Sequence, residues 1–268
     1  MVCALNRESY TGAVLVPGLN PHAVYSSRLS ARSALYTEFH LLMEGQTEVL
    51  PLDAYRSLVV EENCLARGAT SARKKLWKEL KTRYLLDSAQ PLFLAFWDEW
   101  QRCTSEAERS LTAYILFALN DRLVTDLGLE WLFSLLRRAP AELRVVDVLA
   151  FINRAVPKHP EVAGWSEQTC LAVAQKYCAS VRDFGLAKGT VRKVTVRPAL
   201  YGAPIRLLVR VLRLVDTSTL ELIQAPIFRL LALDSLEVID ALGELNRFGA
   251  LQFRMQGDII ELYVAEAA

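Results

Sequence analysis

The stretch from Pro91 to Arg138 constrains this chain most. It is rich in tryptophan and leucine and poor in glycine, so it reads as consecutive helices from the inside of a bundle. Helical spacing and end signals continue on both sides. One helix is expected from Ser33 to Glu44, stopped by Gly45. Another opens at Pro51 and runs to about Glu62, with Leu52, Tyr55, Leu58 and Val59 on one face. Thr70 is placed to cap a helix from Ser71 to about Leu86, whose apolar stripe is Leu76, Trp77, Leu80 and Tyr84. Helices follow from about Ala141 to Val156, from a Ser166 cap to about Asp183 with Gly185 beyond it, and from Pro204 to Leu214.

Strand signals are few. Thr190, Val191, Val194, Thr195 and Val196 favour a strand or a ribbon of two short ones. Near the end, Asp234-Ser-Leu-Glu237 resembles a capping box, opening a helix to about Arg247. Two strands, Ala250–Met255 and Ile259–Val264, then flank a turn at Gln256-Gly257-Asp258. The expected fold is mainly α: a helical bundle with helix-turn-helix or winged-helix elements and one or two small β-hairpins. Three units are expected: 1–140 with a first helix-turn-helix, 141–217 with a second, winged one, and 218–268 as an acidic winged-helix-like unit.

With 268 residues and 52% apolar content, the chain can bury a substantial core. No run approaches the roughly 20 apolar residues of a membrane span, and Met1 to Pro17 lacks a signal-peptide pattern. Five cysteines, an odd number without a CxxC pair, read as idle thiols in a reducing compartment. A cytoplasmic protein is expected. No nucleophile elbow, P-loop, HExxH or GxGxxG is present, and His22, His40 and His159 are scattered. The reading is therefore non-enzymatic, with no cofactor, no metal and no small-molecule substrate.

Charge is more informative than motif. The overall balance is only +1, but residues 219–268 net −5 and the remainder +6. From Arg67 to Arg83 the chain nets +6. Lys74, Lys78 and Lys81 are spaced along one helix face with Lys75 beside them, opposite the apolar stripe. A helix anchored this way suits a DNA groove, with Thr70 and Arg73 near its first turn. From Arg182 to Arg213 the chain nets +7. There a helix with outward Gln168, Gln175, Lys176 and Arg182 precedes a basic ribbon carrying Lys188, Arg192, Lys193 and Arg197. Glutamine reaches base edges, and Arg and Lys track phosphates. These fourteen residues are the candidate DNA contacts. The acidic unit has the wrong sign for phosphate and reads as a protein contact or structural cap.

Several segments resemble a known family. They are Tyr10-Thr-Gly-Ala13, Val59-Val-Glu-Glu-Asn-Cys-Leu65, and Thr70-Ser-Ala-Arg-Lys-Lys-Leu76 with Leu80 and Arg83-Tyr84. The stretch from Trp165-Ser166 to Arg182-Asp-Phe-Gly-Leu186 completes the set. In order and separation they are similar to the BrxA family of bacteriophage exclusion (BREX) systems, from about Ser9 to Arg197. The chain departs from that pattern around Asn20 to Arg32 and in its acidic tail. The resemblance implies a mainly helical, double-stranded DNA-binding component of a phage-defence system, in which methylation belongs to a partner protein. Other BREX subunits are further candidate partners. Two alternatives stand beside this reading: an assembly adaptor of the defence complex, and an RNA-binding helical bundle of the antitermination-factor type.

Overall fold

The computed structural model describes residues 16–257 and 259–264. Cys3, the Tyr10–Ala13 motif and Asp258 of the expected turn lie outside them. An irregular segment with 3-10 turns at Pro17–Leu19 and Arg28–Ser30 leads to helix α1, Tyr36–Glu44. This helix starts later than Ser33 because Leu35 takes a left-handed backbone, φ 57°. Helix α2, Leu52–Arg56, runs directly into a π-helical turn, Ser57–Glu61, so the helix expected from Pro51 is present but widened in its second half. Helix α3 spans Thr70–Tyr84. Ala69, not Thr70, is its N-cap and offers no capping oxygen. Thr70 is already helical, and its Oγ1 accepts a hydrogen bond from Arg73 Nη2 at 2.8 Å.

Helix α4, Pro91–Trp100, opens on a proline, where the missing N–H is no loss. Helix α5, Glu106–Leu119, is capped by Ser105 and buried at every position from Ser110 to Leu119. Such an all-round apolar helix belongs at the centre of a fold. Helix α6, Arg122–Asp126, continues through a second π-helical turn, Leu127–Leu132, into α7, Phe133–Arg137.

Helix α8 is Val145–Ala155 and α9 is Glu167–Asp183. Strands β1, Ala187–Lys188, and β2, Val194–Thr195, pair antiparallel. The ribbon expected over 190–196 is thus two short strands, one of which starts earlier. Helix α8 does not begin at Ala141 because residues 141–143 are recruited to this hairpin. Leu143 N–H donates to the Lys193 carbonyl at 2.9 Å, and Thr195 N–H to the Ala141 carbonyl at 2.8 Å. Glu142 bridges Val194. Gly189, at φ +96°, makes the turn possible: a Cβ there would stand 2.1 Å from the Arg192 carbonyl oxygen.

Helix α10, Gly202–Leu214, packs against α4 and α5. At their junction Glu99, wholly excluded from solvent, accepts hydrogen bonds from Arg206 Nε and Arg210 Nε, both at 2.7 Å. These two arginines add to the basic count of the sequence, yet they face inward. A carboxylate buried in this way must be paired with cations.

Helix α11, Thr219–Gln224, a 3-10 turn at Pro226–Leu231 and helix α12, Ser235–Arg247, follow. The capping box read at Asp234 and Glu237 is formed, and Ser218 and Glu221 make another on α11. Strands β3, Gln252–Gln256, and β4, Ile259–Tyr263, form the terminal hairpin. The protein is mainly α, with two small antiparallel hairpins among the described residues. Its buried apolar side chains form one cluster that extends from Val16 to Phe253. The 3-10 turn 226–231 packs on the π turn of 127–132, where Gly128 leaves room: a Cβ there would meet Leu230 Cδ2 at 2.5 Å. No helix among the described residues is long and apolar enough to cross a membrane.

Candidate nucleic-acid interface

Helix α3 is two-sided. Leu76, Trp77, Leu80 and Tyr84 are buried, while Lys74, Lys75, Lys78 and Lys81 are exposed. None of the four lysines has a carboxylate partner among the described residues. Arg73 is different: Nη1 donates to the Val60 carbonyl at 2.6 Å and Nη2 to Thr70, so its guanidinium ties α3 to the π turn of 57–61. Arg83 is buried and satisfied by Glu79 and by the carbonyls of Arg32 and Ser33, at 2.9 and 3.0 Å.

Helix α9 is held by the Ser166 cap, whose Oγ accepts the Thr169 N–H at 3.1 Å. It buries Val173, Ala174, Tyr177, Cys178 and Val181. Its end is fixed by Gly185, φ +76°, with Leu186 N–H returning to the Val181 carbonyl at 3.0 Å. Gln168 and Gln175 are exposed, and Lys176 and Arg182 half-buried. Ala172 and Ala179, also half-buried, complete a stripe at residues 168, 172, 175, 179 and 182. Arg182 pairs with Asp183 at 2.8 Å.

The β1–β2 hairpin presents Lys188, Val191 and Arg192, with Val191 97% exposed at the turn. Arg192 approaches Glu142 at 3.5 Å, and Lys193 Nζ donates to the Thr190 carbonyl. Arg197 is held by Glu237 at 2.6 Å. Glu237 also accepts from Arg137, which reaches Asp234 at 3.2 Å. Burial would raise the Glu237 pKa, but the hydrogen bonds from Arg137, the Asp234 amide and Arg197 bring it down to about 2. Of the fourteen candidate contacts, four lysines thus share the open face of α3. The α9 stripe and its hairpin group most of the rest, while Arg73 and Arg197 are committed to internal partners.

Sequence periodicity gave no sign of one further feature. The segment Tyr25–Tyr36 runs beside α9 as a strap. At one end the Tyr25 ring stacks on His159 with centroids 3.5 Å apart, and the Tyr25 amide donates to Glu161, in the 3-10 turn that leads into α9. In the middle, the 28–30 turn packs on α9. At the other end Tyr36 meets Phe184 at 5.4 Å. Arg28 and Arg32 project from this strap and are exposed. Arg28 opens the three-residue 3-10 turn and Arg32 lies in loop, so no helical repeat marks a face.

A family model described as BrxA matches residues 23–209 of the 268. The chain belongs to the BrxA family. Membership implies a component of a BREX phage-defence system. The matched residues include α3, the strap from Ala23 onward, α9 and the first hairpin, and stop within α10. Helices α11 and α12 and the β3–β4 hairpin lie beyond them. No curated protein matches the chain.

Burial pushes the Cys103 and Cys178 thiols up to about 12, far from the thiolate that a nucleophile needs. Among the described residues no group of three or more His, Cys, Asp or Glu side chains is arranged to hold a metal ion.

Proposed function

We propose that this BrxA-family protein is a non-enzymatic, cytoplasmic component of BREX defence that binds double-stranded DNA. The observation that carries this reading is the exposed row of Lys74, Lys75, Lys78 and Lys81 on α3, anchored by a buried opposite face and free of carboxylate partners among the described residues. Such a row meets the dense, regularly spaced phosphate charge of a duplex. Helices α8 and α9, the 141–143 segment and the β1–β2 hairpin form the second contact, a winged helix-turn-helix within the unit 141–217. In it α9 offers Gln168 and Gln175 toward the groove, and the hairpin offers Lys188 and Arg192 toward the backbone. Because most contacts are Lys and Arg, binding carries little sequence preference.

The test is a fluorescence-anisotropy titration with duplex DNA, single-stranded DNA and structured RNA at two salt concentrations. Duplex preference that weakens steeply with salt supports the proposal. Preference for RNA moves the assignment to an RNA-binding bundle.

A second reading, an adaptor for another defence subunit, is favoured by the surface of the acidic unit 218–268. Leu236, Phe248 and Ile259 there are 75%, 84% and 72% exposed, apolar side chains that a partner would cover. Binding of a defence subunit that survives the Lys74, Lys78 and Lys81 changes to Ala would support it.

A further inference from the structure

We infer that Arg28 and Arg32 are phosphate contacts that join the α3 lysine row to the exposed stripe of α9, so that one duplex is held by both elements. The inference rests on the DNA-binding reading above and names residues that reading does not contain.

The geometry places the strap between the two basic elements and fixes it to both. Its backbone is clamped to α3. Arg83 donates to the carbonyls of Arg32 and Ser33 at 2.9 and 3.0 Å, and more distantly to that of Arg28 at 3.4 Å. Tyr84 Oη donates to the Ala34 carbonyl at 2.8 Å. Lys75, Glu79 and Arg83 form one row on α3, at i, i+4 and i+8. The last two members are occupied by this clamp, and the first is exposed. The strap therefore abuts the flank of α3 that leads to Lys75 and Lys78. Its other side lies along α9, from the turn that precedes the helix to Phe184 just past its end.

The carbonyls of Arg28 and Arg32 are thus employed in holding the strap, but their guanidinium groups are not. Neither side chain makes a hydrogen bond or an ion pair among the described residues. Both are exposed. Asp121 feels Arg28 electrostatically but accepts its hydrogen bond from Ser26 Oγ, at 2.6 Å. The tethered backbone fixes where the two arginines start, and a guanidinium's planar fork suits phosphate oxygens and loses less freedom per hydrogen bond than an ammonium does.

The experiment measures the salt dependence of duplex binding for the full-length protein, for R28A/R32A, for the charge-preserving R28K/R32K and for K74A/K78A/K81A. The R28A/R32A slope of log K against log[salt] should be shallower than wild type by about 2, since each phosphate contact contributes about 0.9. R28K/R32K should keep most of the wild-type slope, which a merely structural role for the arginines would not explain. Thermal unfolding midpoints of both variants should match wild type, because no side-chain bond is lost. If wild type binds duplex and the lysine variant weakens it while R28A/R32A keeps the wild-type slope, this inference alone is overturned. If wild type does not bind duplex at low salt, the DNA-binding reading falls and this inference with it.

Discussion

Arg197, at the end of the basic ribbon, donates a hydrogen bond to Glu237 on α12 at 2.6 Å, and so joins the family-matched region to the acidic unit beyond it. Glu237 is held at a pKa of about 2 against an ordinary 4.5. A depressed carboxylate contributes stability above the higher value, and the contribution is lost as pH falls through the lower one. The expected outcome for Glu237→Gln is therefore a flatter loss of stability between pH 4.5 and 2, followed by thermal unfolding across that range. The same variant releases Arg197, while Arg137 keeps Asp234, so its affinity for duplex at neutral pH should rise. Unchanged acid sensitivity would show that the contact contributes nothing to folding.

A deeper ion pair behaves differently. Glu99 is fully buried between Arg206 and Arg210. Glu99→Leu alone should destabilise the protein by about 3–5 kcal/mol, because it strands the buried Arg206 guanidinium, while Arg210 keeps Asp98. Urea unfolding checks this. Pairing it with Arg206→Met should recover part of the loss, and the DNA salt slope should not change, since these charges face the core.

Helix α3 offers an internal control. Trp77 is 6% exposed, and Trp77→Ala should cost roughly 3–5 kcal/mol by leaving a cavity. The combined change of Lys74, Lys78 and Lys81 to Ala should cost less than about 0.5 kcal/mol per site. Stability and DNA affinity are thereby separable on one helix, by denaturant melts beside binding titrations.

Deletion from Thr219 onward is expected to give an insoluble or partly unfolded product. Leu222, Phe228, Leu230 and Leu242 belong to the shared core, and their partners near Gly128 would be laid bare. Size-exclusion chromatography and circular dichroism of the truncated chain decide this. A monodisperse, folded product would show that the acidic unit is dispensable for folding.

Much of the fold was legible because its signals are local. The Ser166 cap, the Gly185 stop, the Asp234–Glu237 box and the buried stripe of α3 each depend on residues within one or two turns. What could not be read depends on distant partners. Thr70 looks like a cap but is drawn toward Arg73, which Val60 and Glu61 orient from the preceding turn. Ala141–Leu143 would extend a helix, yet pairing with the hairpin claims it. Charge counting met the same limit. Arg206, Arg210 and Arg197 add to a basic window, but Glu99 and Glu237 stand 40 to 111 positions away in sequence. Arg28 and Arg32 escaped notice for the converse reason: only the tertiary path of the strap brings them beside α9.

The central claim, that the open lysine face of α3 holds duplex DNA, is tested most directly by the salt dependence of duplex binding for wild type and K74A/K78A/K81A. With about five phosphates neutralised, log K should fall with log[salt] at a slope near −4 to −5, each phosphate contributing about 0.9. The triple variant should bind more weakly with a shallower slope. A flat salt response in wild type, or an unchanged affinity and slope in the variant, would contradict the account.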